Sequence, residues 1–404
     1  MGFRMNPHIT TLRCSKSGME VPSNGFASPI GLCRCCPAPG KPVVVEYDLA
    51  KVAKIWLSNP ASGSGIWRYG PFLPVWDVPE DYAFDVGGTP VVRHDRLGEG
   101  LGVEVYLKNE GVNPSGSFKD RGLSVGIALG AACGAKRFCL PTQGNAGVAA
   151  CLFSSRLGLP GALVYMPDGF QGCIYHRSCE FFGGEVRFFG SNIAAAGSKM
   201  REDLQGPLAC GEFVDISTFF EPGRLEGKKT MGHEILEAFS AKSLPDYILY
   251  PTGGGTGLVG IWKAFREFLG AGLLEPQHLS LPRMIAVQSK QCAPLVAAFE
   301  AGAEDVTPVQ SRGTIADGLD VPGAIMGHAM LRVLRESRGF AVAVSEEEIR
   351  DGFAEFGKRG IAAGYESAAT LAGLQDLCRS NRIHAGARVL LLNTGSHLIP
   401  LAKA

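Results

Sequence analysis

"PDYILYPTGGGTGLVGIWKAFREFLGAG" (residues 245–272) decides the architecture. An apolar run passes through three consecutive glycines into a helix-like stretch. The run shows no polar alternation, as expected of a parallel strand covered on both faces. The same order of strand, glycine loop and helix recurs in "KRFCLPTQGNAGVAACLFSSRLG" (136–158). Further short strands are expected in "VEVYLKNE" (103–110), "PGALVYMPDGF" (160–170), "GGEVRFFGS" (183–191), "PRMIAVQSK" (282–290) and "ARVLLLNTGS" (387–396). Helices are expected in "DRGLSVGIALGAACGA" (120–135) and "IYHRSCEFF" (174–182). Alternation of this kind predicts an α/β fold with glycine loops at the strand ends, where open sheets bind ligands.

The 404 residues exceed what one core usually holds, so two domains are expected. Apolar residues are 46% of the chain and charged ones 19%, too apolar for disorder. Basic and acidic residues balance at 39 each, which speaks against nucleic acid or an acidic membrane as partner. No run approaches a membrane span, and the first residues lack the apolar core of a secretory signal. The twelve cysteines then read as reduced thiols in a cytoplasmic protein.

Three glycine-flanked loops carry the chemistry. "PTGGGTG" (251–257) can turn backbone N–H groups towards an anion at a helix N-terminus, or serve only tight strand–helix packing. It is neither a Walker loop nor a dinucleotide fingerprint. "PTQGNAG" (141–147) sets Asn145 at a helix start, as an N-cap or as an amide aimed at a cofactor oxygen. Its N–H groups could receive a carboxylate. "NTGS" (393–396) offers the hydroxyl of Thr394, a turn residue or a partner for a ring nitrogen. "NPSGSFKDRG" (113–122) adds Lys119 at the mouth of a buried helix. A reactive lysine, an anion cradle, an amide and a hydroxyl are the set that pyridoxal 5′-phosphate requires. A hydroxyl at the ring nitrogen does not hold it protonated as a carboxylate would, which favours elimination and replacement over transamination.

These motifs, with "EPGRLEGKKTMGHE" (221–234), "TIADGLDVP" (314–322) and "GIWRYGPFLPV" (65–75), resemble the threonine synthases among the fold type II pyridoxal-phosphate enzymes. The resemblance runs from about residue 10 to residue 398, with the motifs in the family's order. It implies two open, twisted, mainly parallel α/β domains with the cofactor in the cleft between them. The large domain would comprise residues 51–125 and 235–404, the small substrate domain 126–234, and a ribbon-like segment 1–50. It also implies that Lys119 is the Schiff-base lysine, Phe118 lies against the cofactor and Asn145 bonds its phenolic oxygen. Gly253, Gly254, Gly255, Thr256 and Gly257 would hold its phosphate, and Thr394 would face the ring nitrogen. Ser115, Ser117, Thr142, Gln143 and Gly144 are candidate substrate contacts. Arg224 is a candidate for a substrate phosphate, or else an ion-paired arginine. The implied reaction converts O-phospho-L-homoserine and water to L-threonine and phosphate. The alternatives are elimination or replacement on another amino acid, including serine or threonine deamination, and a catalytically inactive homologue. The partner would be a small, phosphorylated amino acid, and the assembly a homodimer.

The chain departs from the family in three places. Cys33 and Cys36 have zinc-knuckle spacing, but Ser17 stands where Cys14 needs a second thiol, so the ribbon reads as degenerate and no metal is assigned. "NTGSHLI" places His397 where relatives have glycine and Ile399 where they have lysine. "GYESAAT" places Tyr365, Glu366 and Ser367 where relatives have a proline-glutamate-glycine step. If His397 and Tyr365 line the pocket, the substrate differs from that of a housekeeping threonine synthase.

Overall fold

The structure, a computed structural model, describes residues 3–22, 31–37, 40–58, 65–239, 243–274 and 280–401. Contacts divide the chain into two compact units. One comprises residues 1–88 and 119–230, the other residues 89–118 and 231–402.

The second unit is built on a six-stranded sheet. Its order is Phe340–Val344, Arg283–Ser289, Tyr247–Pro251, Arg388–Asn393, Glu104–Asn109 and Val91–Arg93. Neighbours are parallel except at the last pair, where Val91–Arg93 runs antiparallel to Glu104–Asn109. Every residue of Tyr247–Pro251 is buried, which accounts for its unbroken apolar run. Leu107, Leu249, Val287 and Leu391 pack with Leu371 and Leu374 of the helix Tyr365–Arg379 in one core.

The first unit carries a four-stranded parallel sheet in the order Phe213–Asp215, Arg137–Pro141, Leu163–Met166 and Glu185–Phe188. Met200 and Ala196 of the helix Ile193–Asp203 close over Cys139, Leu163 and Tyr165. Two short antiparallel pairs, Ile9–Cys14 with Val43–Tyr47 and Arg4–Met5 with Val75–Trp76, complete it.

Residues 51–88 group with the four-stranded unit, whereas the sequence reading put them with the C-terminal residues. The reason lies in their aromatic side chains. Trp56 stacks on Tyr69 at 5.4 Å, and Tyr82 meets Phe153 edge-on at 5.8 Å. The Tyr82 hydroxyl donates to the carbonyl of Ser124 at 2.6 Å. Among the described residues no helix is long and apolar enough to cross a membrane.

The helices Lys119–Ala132 and Gly223–Ala238 approach closely through paired glycines. A Cβ on Gly227 would lie 1.9 Å from the carbonyl oxygen of Arg121, and one on Gly223 would lie 2.6 Å from the Cα of Gly126. Glycine is required at these positions by backbone contact, so no side-chain shift can relieve the clash. Gly227→Ala should therefore lower stability by about 1–3 kcal/mol. Gly357→Ala, in the helix Glu346–Lys358 with nothing within 4 Å of the new methyl, should raise it by about 0.5–1 kcal/mol. Urea unfolding midpoints of the two variants should move in opposite directions.

Candidate active site

Adjacent parallel strands of the six-stranded sheet end where the candidate residues begin. Tyr247–Pro251 leads to the glycine loop, Arg388–Asn393 to Thr394, and Glu104–Asn109 to the loop that ends at Lys119. The last of these strands in the chain, Arg388–Asn393, lies between the other two. Such a reversal of strand order is where an open α/β sheet leaves room for a ligand.

The glycine loop is built to a tight tolerance. A Cβ on Gly253 would lie 2.1 Å from the carbonyl oxygen of Gly318, and one on Gly257 2.2 Å from the hydroxyl of Tyr250. Gly255 is left-handed, φ +77°, and a methyl there would lie 1.9 Å from Met330 Sδ. Packing thus accounts for glycine at these positions. The turn also opens the 15-residue helix Thr256–Gly270, whose first N–H groups have no intrahelical acceptor and carry the positive end of its dipole. The Gly257 amide donates to the Tyr250 hydroxyl, and Tyr250 also meets Phe118 edge-on at 6.3 Å. Burial drives the Tyr250 phenol above its ordinary pKa, so it stays protonated.

Thr394 is 5% exposed, and its amide donates to Ser367 Oγ at 3.0 Å. Ser367 in turn donates to Asn393 Oδ1 at 2.7 Å, and Asn393 donates to Asn109 Oδ1 at 2.8 Å. The carbonyl of Thr394 accepts from the Phe118 amide at 3.1 Å, and the Ser396 amide donates to Gly116 at 2.9 Å. Ser117 bridges to Gly395, and the Ser115 and Ser117 hydroxyls are 3.3 Å apart. The base of this loop rests on a buried ionic network. Lys108 Nζ donates to Glu234 at 2.7 Å and to the Thr89 hydroxyl at 2.8 Å, while Thr89 and Asn113 both donate to Glu110. His397 is half-buried on the Thr394 loop, its Nδ1 3.5 Å from Ser396 Oγ. Tyr365 packs its ring 4.5 Å from that of Phe353, against the core. The side chain of Ile399 lies outside the described residues.

The four-stranded unit holds the remaining candidates. Lys119 is the first residue of its helix and half-buried. The loop after Arg137–Pro141 is stiffened by Thr142, whose hydroxyl accepts from the Gly144 amide at 3.0 Å. A Cβ on Gly144 would strike the Tyr175 ring at 2.8 Å. Asn145 begins the helix Asn145–Arg156, and its Oδ1 is buried without a hydrogen-bond partner. An orphaned buried amide oxygen is costly unless a ligand meets the group. Gln143, between Thr142 and Gly144, is half-buried.

Arg224 and a residue that sequence reasoning passed over, Lys228, lie one turn apart on the helix Gly223–Ala238. Both are buried, at 2% and 1% exposure. Burial pushes Lys228 well below its ordinary pKa, and the positive charges of Lys119 and Arg224 push in the same direction. Burial lowers Arg224 to about 10 against the pull of Glu221 and Asp215. Glu221 is raised to about 7 by burial, despite Arg224's charge and the amides of Arg224 and Gly223 that it accepts. Arg224 donates to the Ile216 carbonyl at 2.9 Å, but its Nε is buried without a partner.

The structure thus brings Ser115, Ser117, Phe118, residues 253–257, Thr394 and His397 to the loops of one sheet. Lys119, Thr142, Gln143, Gly144, Asn145 and Arg224 fall in the other unit. Tyr250, Ser367, Glu221 and Lys228 join them as supporting residues. All four stood inside stretches already singled out, but only Tyr250, in an apolar run, had a signal of burial.

The glycine cradle and the unpartnered Asn145 oxygen fit pyridoxal phosphate. The family model described as "Pyridoxal-phosphate dependent enzyme" matches residues 82–395. The threonine synthase of Methanocaldococcus jannaschii is 32% identical over 336 residues, 83% of this chain and 80% of that protein. That of Methanosarcina acetivorans is 32% identical over 359 residues, 88% and 85% of the two chains. Among solved structures, maize serine racemase superposes with TM-score 0.64 at 21% identity, covering 76% of this chain and 88% of that one. The processed threonine deaminase isoform 2 of Solanum lycopersicum gives 0.65 at 19% identity, covering 95% and 98%. These two likenesses establish the fold. The chain belongs to the pyridoxal-phosphate dependent enzyme family, and within it is a fold type II, threonine synthase-like lyase that uses pyridoxal 5′-phosphate.

Proposed function

We propose that the enzyme converts O-phospho-L-homoserine and water to L-threonine and phosphate. The observation that carries this reading is the buried Arg224, with an unpartnered Nε and Lys228 one turn away. A buried guanidinium with an unused donor is strongly unfavourable unless an anion takes it. A phosphorylated amino acid supplies that anion, and a serine or threonine side chain does not. The threonine synthase relatives support the same substrate.

The residues have distinct tasks. Lys119, the loop 253–257, Asn145 and Thr394 would hold pyridoxal phosphate, which supplies the electron sink for carbanion chemistry. In the loop Thr142–Gly144 the Gln143 amide would receive the substrate carboxylate, since those of Thr142 and Gly144 donate to the Tyr165 carbonyl and the Thr142 hydroxyl. Lys119 would take the Cα proton and move protons at Cβ and Cγ. Phosphate departs from Cγ towards Arg224, and water adds at Cβ. Charge-assisted hydrogen bonds from a planar guanidinium stabilise the negative charge that grows on the leaving group. Lys119 can act as base only while neutral.

Phosphate release and threonine formation from O-phospho-L-homoserine test the reading. Keto-acid formation from serine or threonine without phosphate release from the phosphorylated substrate would replace it by a deaminase. Lys119→Ala should lose both activity and the visible absorbance of the lysine-bound cofactor. Wild type with no such band after incubation with the cofactor would sink the enzymatic reading altogether.

Lys228 gives a sharper prediction. Burial and the charges of Lys119 and Arg224 favour its neutral amine in the empty site. Beside Arg224 that amine can still bond a phosphate. In Lys228→Met the KM for O-phospho-L-homoserine should rise roughly tenfold, about 1.4 kcal/mol. An unchanged KM would show that Lys228 does not meet the substrate.

A further inference from the structure

The N-terminal residues hold a cluster that the reaction does not use. The Sγ atoms of Cys14, Cys33, Cys35 and Cys36 all lie within 4.8 Å of one another. Among the described residues no other group of His, Cys, Asp or Glu ligand atoms comes together in this way. Cys14 lies 3.4 Å from Cys33 and 3.6 Å from Cys36, sulfur to sulfur. Those separations are too long for a disulfide, at about 2.05 Å. They approach the edge of a tetrahedron of thiolates around zinc, about 3.8 Å for Zn–S bonds of about 2.3 Å.

Two turns present these thiols. Cys14 ends a strand, and the chain reverses at Gly18, φ +70°, whose amide donates to the Cys14 carbonyl at 3.0 Å. Cys33 opens the other turn, its amide donating to Lys41 at 2.8 Å. That turn closes at Gly40, φ +91°, where a Cβ would lie 2.2 Å from the Cys33 carbonyl oxygen. The Ser15 amide donates to Pro42 at 2.9 Å and ties the turns together. Backbone amides also address the sulfurs: Ser17 N–H points to Cys14 at 3.5 Å and Lys41 N–H to Cys33 at 3.4 Å. N–H donation of this kind neutralises negative charge on metal-bound thiolates.

We propose that Cys14, Cys33, Cys35 and Cys36 bind one zinc ion as a tetrathiolate. Cys35 takes the place that paired CxxC knuckles would give to residue 17. Ser17 lies 3.5 Å from Cys35 Sγ and serves as a hydrogen-bond donor to that thiolate instead of as a ligand. The sequence argued against a metal because the second knuckle thiol expected after Cys14 falls on Ser17. The folded turn makes Cys35 available. The assignment stands apart from the choice of substrate.

The test is elemental analysis of the full-length holoenzyme, purified under reductant and dialysed with zinc. About one zinc per chain is expected, lost in Cys35→Ser and kept in Ser17→Ala. Cobalt substitution should give the ligand-field bands of a tetrahedral tetrathiolate. Cofactor absorbance and circular dichroism check that each variant folds. Should Cys35→Ser fail to fold, wild type answers instead: chelation should release the metal and expose four further reactive thiols. No stoichiometric zinc in wild type, iron in its place, or full retention of zinc by Cys35→Ser would overturn the proposal.

Discussion

The chemistry depends on a short main-chain ladder between the lysine loop and the last strand. The Phe118 amide bonds the Thr394 carbonyl, Ser117 bridges to Gly395, and the Ser396 amide bonds Gly116. A lysine on an untethered loop would lose its position to conformational entropy. Here the residue immediately before Lys119 is fixed to Thr394. Adjacent parallel strands make this possible, because Arg388–Asn393 lies beside Glu104–Asn109 in full register. Asn109 and Asn393, paired across those strands, join through their side chains at 2.8 Å. Below them Lys108, fully buried, is matched by Glu110 and Glu234. Removing one partner of such a network typically costs about 3–5 kcal/mol.

The four-stranded unit places cations where burial makes them expensive. Lys119, Arg224 and Lys228 are brought together because Gly122, Gly126, Gly223 and Gly227 let two helices touch at backbone distance. Larger residues at those contacts would hold the helices apart and let water between the charges. Glu221 offsets part of the cost, although burial raises its own pKa to about 7.

Much of the architecture was legible because strands covered on both faces leave apolar runs bounded by glycine. YILYP and RVLLLN could be read in that way without any alignment of faces. The aromatic segment was not, since proline and tryptophan spacing says nothing about which sheet it will cover. The helices at Gly327–Glu336 and Glu346–Lys358 were passed over, although Ser345 and Glu348 form a capping box visible as a spacing. The burial of Lys228 had no signature at all. GRLEGKKTMGHE is polar around its whole circumference, the pattern of a solvated helix, yet Arg224, Glu226, Lys228 and Lys229 are all buried. Partners distant in sequence make that tolerable: Tyr47 donates to Glu226 at 2.9 Å, and Lys229 bonds the same carboxylate.

The departures from the family pattern are not equivalent once placed in the fold. Tyr365 commits its ring to Phe353 and the core, so its effect on chemistry runs through the helix that it begins. That helix is tied to the cofactor loop by the Gly364 amide, which donates to Gly395 at 3.0 Å. His397 stands on the loop itself, next to the serine whose amide holds Gly116. A ring at that position changes the shape and the polarity of the segment carrying Thr394, while leaving its main-chain bonds in place. Any difference in substrate from the threonine synthases is therefore to be sought first at His397, and at Tyr365 only through the packing behind it.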